Sequence, residues 1–274
     1  LAALKLNSKP SDIMLVDSHC HLDRLKLDKL EEPTLDCVVR EAQEAGVNHM
    51  LCVGIDMGNA AAVKSIADTY DNVYASVGVH PMDVSERISA EQLIDCADHK
   101  KVVAIGETGL DYFYTKDTAE VQHESLVMHL EVARSLELPV IIHTRDAKED
   151  TLAILDQHVC RRSVGVLHCF TEDLDMAMRA IDLGFYISFS GIVTFKNAAQ
   201  LQEVAREIPL DRMLVETDSP YLTPVPFRGK PNFPKHTADV ARFISEMRGI
   251  SFDALAEQTT DNFFALFPKA GALT

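Results

Sequence analysis

Apolar positions along the chain gather into short, near-continuous runs rich in β-branched residues, each ended by glycine or polar side chains. Eight such runs recur at fairly even spacing, over residues 13–19, 49–55, 73–79, 102–107, 139–144, 164–170, 185–190 and 212–218. Between them the apolar positions switch to helical spacing, as in TLDCVVREAQEAG (34–46) and EVQHESLVMHLEVARSLE (120–137). Gly46 and Pro139 mark where those two helices stop. Two further helices are predicted over 236–249 and 251–267. Strands this apolar are buried on both faces, so helices must cover them. The alternation predicts a parallel α/β sheet, and eight units predict its closure into a (β/α)8 TIM barrel. An open doubly wound sheet is the structural alternative, but no G-x-G-x-x-G follows the first strand.

No linker, repeat or low-complexity tract divides the 274 residues, a length that such a barrel fills as one domain. The domain is expected to cover 14–268. Before it, residues 1–13 lack the features of a secretory signal and read as a dispensable or artificial extension; after it, 269–274 read as a tail. Hydrophobic residues make up 47% and charged residues 25%, an ordinary globular composition, and no apolar run reaches the ~18 residues of a membrane-spanning helix. The six cysteines, at 20, 37, 52, 96, 160 and 169, show no C-x-x-C and no disulfide-scaffold spacing, which fits reduced thiols and a cytoplasmic home. Helical surfaces carry no long apolar seam, so a monomer is expected. The formal net charge of -16 opposes simple attraction to nucleic acid. A polyanionic substrate would need local positive charge, and bound divalent metal would supply it.

Polar side chains at the ends of such strands are the anomaly. In MLVDSHCHLD (14–23), His19 and His21 close the first strand; Glu107 closes the fourth, His143 the fifth, His168 the sixth and Asp218 the eighth. Taken singly, each histidine has a structural reading as a hydrogen-bonded residue, and each carboxylate as a helix cap. In a barrel, however, the carboxyl ends of all strands meet on one face, and alternation points His19 and His21 the same way. Four imidazoles and two carboxylates would then share one mouth. Such nitrogen and oxygen donors suit zinc, manganese or similar divalent ions, and six exceed what one tetrahedral site needs, so two metals close together are expected. Cys20 and Cys169, each next to one of these histidines, are expected to point to the opposite side of their strands into plain burial.

These residues lie in six ordered motifs: DSHCHLD (17–23), GVHP (78–81), GETGLDYF (106–113), HTRDA (143–147), LHCF (167–170) and ETDSPYLTPVPFRGKPN (216–232). Through them the chain, from about Met14 to Phe267, resembles the TatD-like metal-dependent hydrolases and deoxyribonucleases, a branch of the amidohydrolase superfamily. The resemblance implies a (β/α)8 barrel with two divalent ions, zinc, manganese or magnesium, and activity on nucleic-acid phosphodiesters. Position by position, it implies that His19, His21, Glu107 and Asp218 hold one metal and that Glu107, His143 and His168 hold the other. Glu107 would bridge, where the wider superfamily often uses a carboxylated lysine. One departure, Phe233 in RGKPNFPKH, stands where members often carry an acidic or amide residue and bears on substrate preference.

On this reading a metal-activated water attacks the phosphodiester, and Asp218 takes its proton as general base. His80 would contact the scissile phosphate or a metal-bound water, or else be a structural residue held by the Pro81 turn. Arg145 and Arg228 would make forked phosphate contacts, or pair with carboxylates such as Asp111 or Asp146. Tyr112, with Phe113 and Tyr114, offers rings that would stack a base of single-stranded substrate or simply pack in the core. The expected substrate is DNA, attacked at single strands or ends in 3′-to-5′ exonuclease fashion. Two other readings stay open: hydrolysis of an ester or amide such as an aminoacyl-tRNA ester, and a metal that only stabilises the barrel.

Overall fold

The structure is a computed structural model that describes residues 14–85, 87–158 and 164–273. The extension at 1–13, Cys160 and Thr274 lie outside the described residues. Eight parallel strands form in chain order: β1 (Leu15–Cys20), β2 (Val47–Val53), β3 (Val73–Val77), β4 (Val102–Asp111), β5 (Val140–Arg145), β6 (Gly165–Leu167), β7 (Tyr186–Phe189) and β8 (Met213–Val215). Helices α1 (Leu35–Glu44), α2 (Ala60–Thr69), α3 (Ala90–Ala97), α4 (Ala119–Leu136), α5 (Lys148–His158), α6 (Leu174–Asp182), α7 (Ala199–Glu207) and α8 (Thr237–Arg248) each follow one strand. Two more, α9 (Phe252–Leu266) and α10 (Pro268–Gly271), end the described chain. None of the described helices is long and apolar enough to cross a membrane.

Two apolar layers explain why the strands read as unbroken hydrophobic runs. One set, including Met50, Val77, Ile105, Ile142, Ile187 and Val215, packs outward against the helices. The alternate set, including Val16, Leu51, Val103, Ile141, Val166 and Leu214, fills the barrel interior together with Phe263 and Phe267 of the C-terminal segment. Residues at the predicted tail join this interior: α10 buries Ala270 in the same cluster. Side-chain caps fix the starts of several helices, with Thr34, Ser89, Asp173 and Ser251 accepting backbone N–H groups of α1, α3, α6 and α9.

Strand pairing runs from β1 to β8, and a different set of bonds closes the seam between the two. Asp17 accepts from the Thr217 N–H at 2.9 Å and from its hydroxyl at 2.6 Å, while Ser18 donates to Val215 O at 3.0 Å. Above these, Asp218 N–H donates to His19 O at 2.9 Å and His21 N–H to Ser219 O at 2.8 Å. The seam therefore holds together the two segments that carry His19, His21 and Asp218.

Strand limits differ from the sequence reading where the ligand candidates sit. β4 does not end at Glu107 but continues to Asp111, because Gly109, at φ +146, lets the backbone press against β5; a Cβ there would lie 1.9 Å from His143 O. β6 and β8 are shorter than expected, so His168 and Asp218 stand in the loops just beyond their strands.

Two predictions follow from buried polar groups. Asp17→Ala removes the acceptor of two buried seam donors and should lower unfolding free energy by at least about 2 kcal/mol, with Asp17→Asn losing less, as read by urea unfolding. His129 of α4 is fully buried; its Nδ1–H donates to Ser125 O at 2.7 Å and its Nε2 accepts from Val79 N–H at 3.0 Å. Burial pushes its pKa down from 6.5 to about 4. A depressed histidine keeps its full contribution above pH 6.5 and loses it as pH falls toward 4, by about 3 kcal/mol over that window. The stability gap between the natural protein and His129→Leu should accordingly narrow between pH 7.5 and 4.5 in parallel unfolding titrations, and a constant gap would refute this assignment.

Candidate metal centre

The sequence places imidazoles at the mouth partly by alternation and partly by breaking it. On β5, Ile141 belongs to the interior cluster, so His143 and Arg145 follow on the same face. Leu214 is interior in the same way, which puts Glu216 and Asp218 in phase with it. On β1, Val16 is interior and Ser18 meets Ser188 inside the barrel at 3.0 Å, so strict alternation would turn His19 outward. A register irregularity between Asp17 and Cys20 changes the phase and brings His19 and His21 into the mouth. β4 breaks register likewise between Ile105 and Thr108, around Glu107.

Glu107 is buried and lies at the centre of the group. Its Oε1 faces His168 Nε2 at 2.7 Å, His80 Nε2 at 3.2 Å and His143 Nδ1 at 3.3 Å, while its Oε2 faces His19 Nε2 at 3.4 Å. Asp218 Oδ1 lies 3.4 Å from His21 Nε2 and 3.8 Å from His19 Nε2. Its backbone adopts φ +55, a left-handed conformation uncommon for a residue with a side chain and characteristic of functional sites. All six ligand candidates from the sequence are thus brought together, and His80 joins them as a seventh side chain that also lines the cavity.

Other buried groups orient these ligands, and sequence reading missed them. Asp111 Oδ2 sits 3.2 Å from His143 Nε2, Glu216 Oε1 lies 3.4 Å from His168 Nδ1, and His21 Nδ1–H donates to Val53 O at 3.1 Å. In each ring one nitrogen faces the centre and the other faces an outer partner, the arrangement by which metal-binding histidines are held. Glu216 had a signal in its phase with Asp218. Asp111 had none, because the glycines of GETGLD hide the continuation of β4.

Several expected roles change. Tyr112 does not reach the mouth: its hydroxyl donates to Asp150 Oδ2 at 2.6 Å and lies 2.5 Å from His123 Nε2, and its ring packs against the core. Its neighbours Phe113 and Tyr114 line the cavity instead. Arg145 also lines it, without a carboxylate partner among the described residues, whereas Arg228 lies over the Phe195 ring at 4.0 Å away from the cavity wall. Phe233 is a buried core residue, so its side chain faces helices rather than substrate. Cys20 is buried, donating to Leu51 O at 3.4 Å. Cys169 is not on the far side of a strand: it stands in the turn after β6 at φ +42 and lines the cavity, 3.3 Å from Ser190 Oγ.

The donor set fits divalent metal. His19 and His21 aim their Nε2 atoms at each other across 3.4 Å, an arrangement that two neutral acceptors resist and a cation between them relieves. His19 Nδ1 and Glu216 Oε2 are buried without hydrogen-bond partners. Burial would push the Glu107 carboxyl up, yet His168 and His80 charge and the bonds from His143 and His168 hold it well below the carboxylate range. Against its own burial, His168 is drawn far up by Glu107 and Glu216, while burial and the adjacent His168 push His19 below its ordinary value. Protons on these rings balance the carboxylates here, and metal ions compete for the same nitrogens.

The cavity over this group has a volume of about 930 Å³ and opens to solvent at the carboxyl ends of the strands. The sequence profile of the TatD related DNase family matches residues 16–268. The chain is similar to the uncharacterized metal-dependent hydrolase YcfH of Escherichia coli K12, 49% identical over 255 residues that cover 93% of this chain and 96% of YcfH. It is 40% identical to YabD of Bacillus subtilis, another uncharacterized metal-dependent hydrolase, over 93% of this chain and 99% of YabD. Among solved structures, the TatD homolog YjjV of E. coli K12 superposes with a TM-score of 0.85 at 32% identity, over 93% of this chain and 98% of YjjV. Profile, relatives and barrel agree along the same span, and the chain belongs to the TatD-related DNase family of metal-dependent hydrolases.

Proposed function

We propose that the mouth hydrolyses phosphodiester bonds of DNA, at single strands or ends and in 3′-to-5′ exonuclease fashion. The observation that carries this reading is the convergence of His19, His21, His143, His168, Glu107 and Asp218 beneath one open cavity. Two divalent ions, of zinc, manganese or magnesium, would be held there. His19, His21 and Asp218 with Glu107 would take one, and His143 and His168 with Glu107 the other. Ions of this kind polarise phosphoryl oxygens and make water acidic enough to attack near neutral pH.

The chain's own groups do the rest. Glu107 fixes the spacing of the two ligand sets, since each of its oxygens faces one of them. Asp218 accepts the attacking water's proton on its carboxylate. Burial alone would raise its pKa, but bonding to His21 and the nearby His19 and His21 charge keep it below the usual range, so the basic form is present. His80, whose Nε2 lies 3.2 Å from Glu107 Oε1 and whose ring lines the cavity, would meet a phosphoryl oxygen or the leaving group. Five free thiols among the described residues, three of them buried, are in keeping with a reducing compartment, the cytoplasm.

A second reading keeps the metals and changes the bond to an ester or amide, such as an aminoacyl-tRNA ester. It draws on the cavity wall, where Asp83, Asp146 and Glu172 outnumber the one arginine among the described residues. A purely structural metal is disfavoured by the open cavity, because structural sites are closed.

Elemental analysis should find up to two divalent ions per chain, with His143→Ala and His168→Ala each lowering the content; unchanged content would mean that the ligands are misassigned. Metal-loaded protein should degrade end-labelled single-stranded DNA, and Asp218→Asn should slow this by about 100-fold or more. Intact DNA with zinc, manganese and magnesium alike, alongside turnover of small esters, would transfer the assignment to the second reading.

A further inference from the structure

Eight large apolar side chains are exposed among the described residues, and four of them, Met82, Phe113, Tyr114 and Tyr221, line the cavity above the ligand group. Scattered exposed hydrophobics need no explanation, but this concentration at one mouth does. Phe113 and Tyr114 are 56% and 58% exposed and meet edge to face at 4.7 Å. The Arg145 guanidinium lies over both rings, 4.1 Å from the centre of Phe113 and 4.9 Å from that of Tyr114. It is the one Lys or Arg among the described residues of the cavity wall, which otherwise carries Asp83, Asp111, Asp146, Glu172 and Asp218 besides Glu107.

We propose that Phe113, Tyr114 and Arg145 form a nucleobase-stacking subsite that makes the enzyme select single-stranded nucleic acid. This rests on the phosphodiesterase reading and adds the substrate's recognised part. A π-face stacks on any base but only on one that is unpaired, so the platform admits frayed ends and single strands and gives nothing to an intact duplex. The rings hold the guanidinium in place without neutralising it, so its outer N–H groups remain for the phosphate next to the stacked base. The platform is also tied to the reacting centre. Tyr114 N–H donates to Asp111 Oδ1 at 2.7 Å, and the other oxygen of Asp111 lies 3.2 Å from His143 Nε2. A base on the rings is thereby set at a fixed place relative to the ligand group, which a binding patch on a loose loop would not achieve.

The test measures binding rather than cleavage, by fluorescence anisotropy with metal-loaded protein. One probe is a short phosphorothioate oligothymidylate that resists hydrolysis; the other is a base-free oligomer of the same length and backbone. The natural protein should prefer the oligothymidylate by about tenfold or more. The double variant Phe113→Ala, Tyr114→Ala should lose that preference while keeping its affinity for the base-free probe, and Phe113→Leu, which keeps apolar bulk without a π-face, should lose part of it. Arg145→Gln should weaken both probes and lower the salt dependence of binding by about one counterion. Equal affinity of the natural protein for the two probes, or a preference that survives in the double variant, overturns the subsite. The outcome is separate from that of the nuclease assay: cleavage of ordinary single strands without base preference sinks the subsite alone, and base preference without cleavage upholds the subsite while the phosphodiesterase reading fails.

Discussion

Glu107 is buried, and four imidazole nitrogens face its two oxygens at 2.7 to 3.4 Å. An uncompensated carboxylate in such a place would cost several kcal/mol, so positive charge must accompany it. Protonated rings supply that charge in part, but they crowd one another: His19 stacks on His168 at 3.8 Å, and burial together with that neighbour disfavours its own protonation. Bound metal would resolve the conflict, because one cation satisfies several nitrogens and carboxylate oxygens at once where a proton satisfies one pair. The composition of the whole mouth is intelligible as a shell built around that exchange.

Holding such a shell requires backbone that departs from regular strand geometry at chosen points. β1 and β4 change phase at His19 and Glu107, and Asp218 takes a left-handed conformation. Each departure is held in place by bonds that have nothing to do with metal. Asp17 grips Thr217, His19 and Ser219 carbonyls receive the N–H groups of Asp218 and His21, and Gly109 lies flat on His143. Irregular backbone persists where its surroundings over-determine it, and here the β1–β8 seam and the β4–β5 pair do so.

The fold was legible because burial on both faces leaves a plain record: eight unbroken apolar runs alternating with helical patterns. The ligand candidates were legible because histidine and carboxylate break that record at the ends of the runs. Residues that act behind the ligands left less trace. Asp111 lies past two glycines that resemble a strand end, and Glu216 stood inside the expected eighth strand, over 212–218, where only its phase with Asp218 marked it. The wall residues were the least readable. Tyr112, Phe113 and Tyr114 are chemically alike and consecutive, and only the local course of the chain decides that the first turns to Asp150 while the other two face the cavity. Phe233 looked like a loop residue because polar and proline neighbours surround it, although its side chain packs in the core.

Stability and chemistry are assigned to opposite ends of this barrel. Phe263, Phe267 and Ala270 close the amino-terminal end with apolar surface continuous with the interior strand residues. That burial contributes the free energy that lets the other end carry charged groups whose mutual arrangement is unfavourable without bound cations. It also frees the mouth from any need for a basic surface: with a net charge of -16, the chain cannot gather a polyanion by its overall field. On the phosphodiesterase reading proposed above, positive charge would have to be concentrated at the mouth itself, where Arg145 and bound metal would supply it. On that reading the acidic exterior would repel extended duplex surfaces, and only a phosphate that reaches the mouth would meet the cations held there.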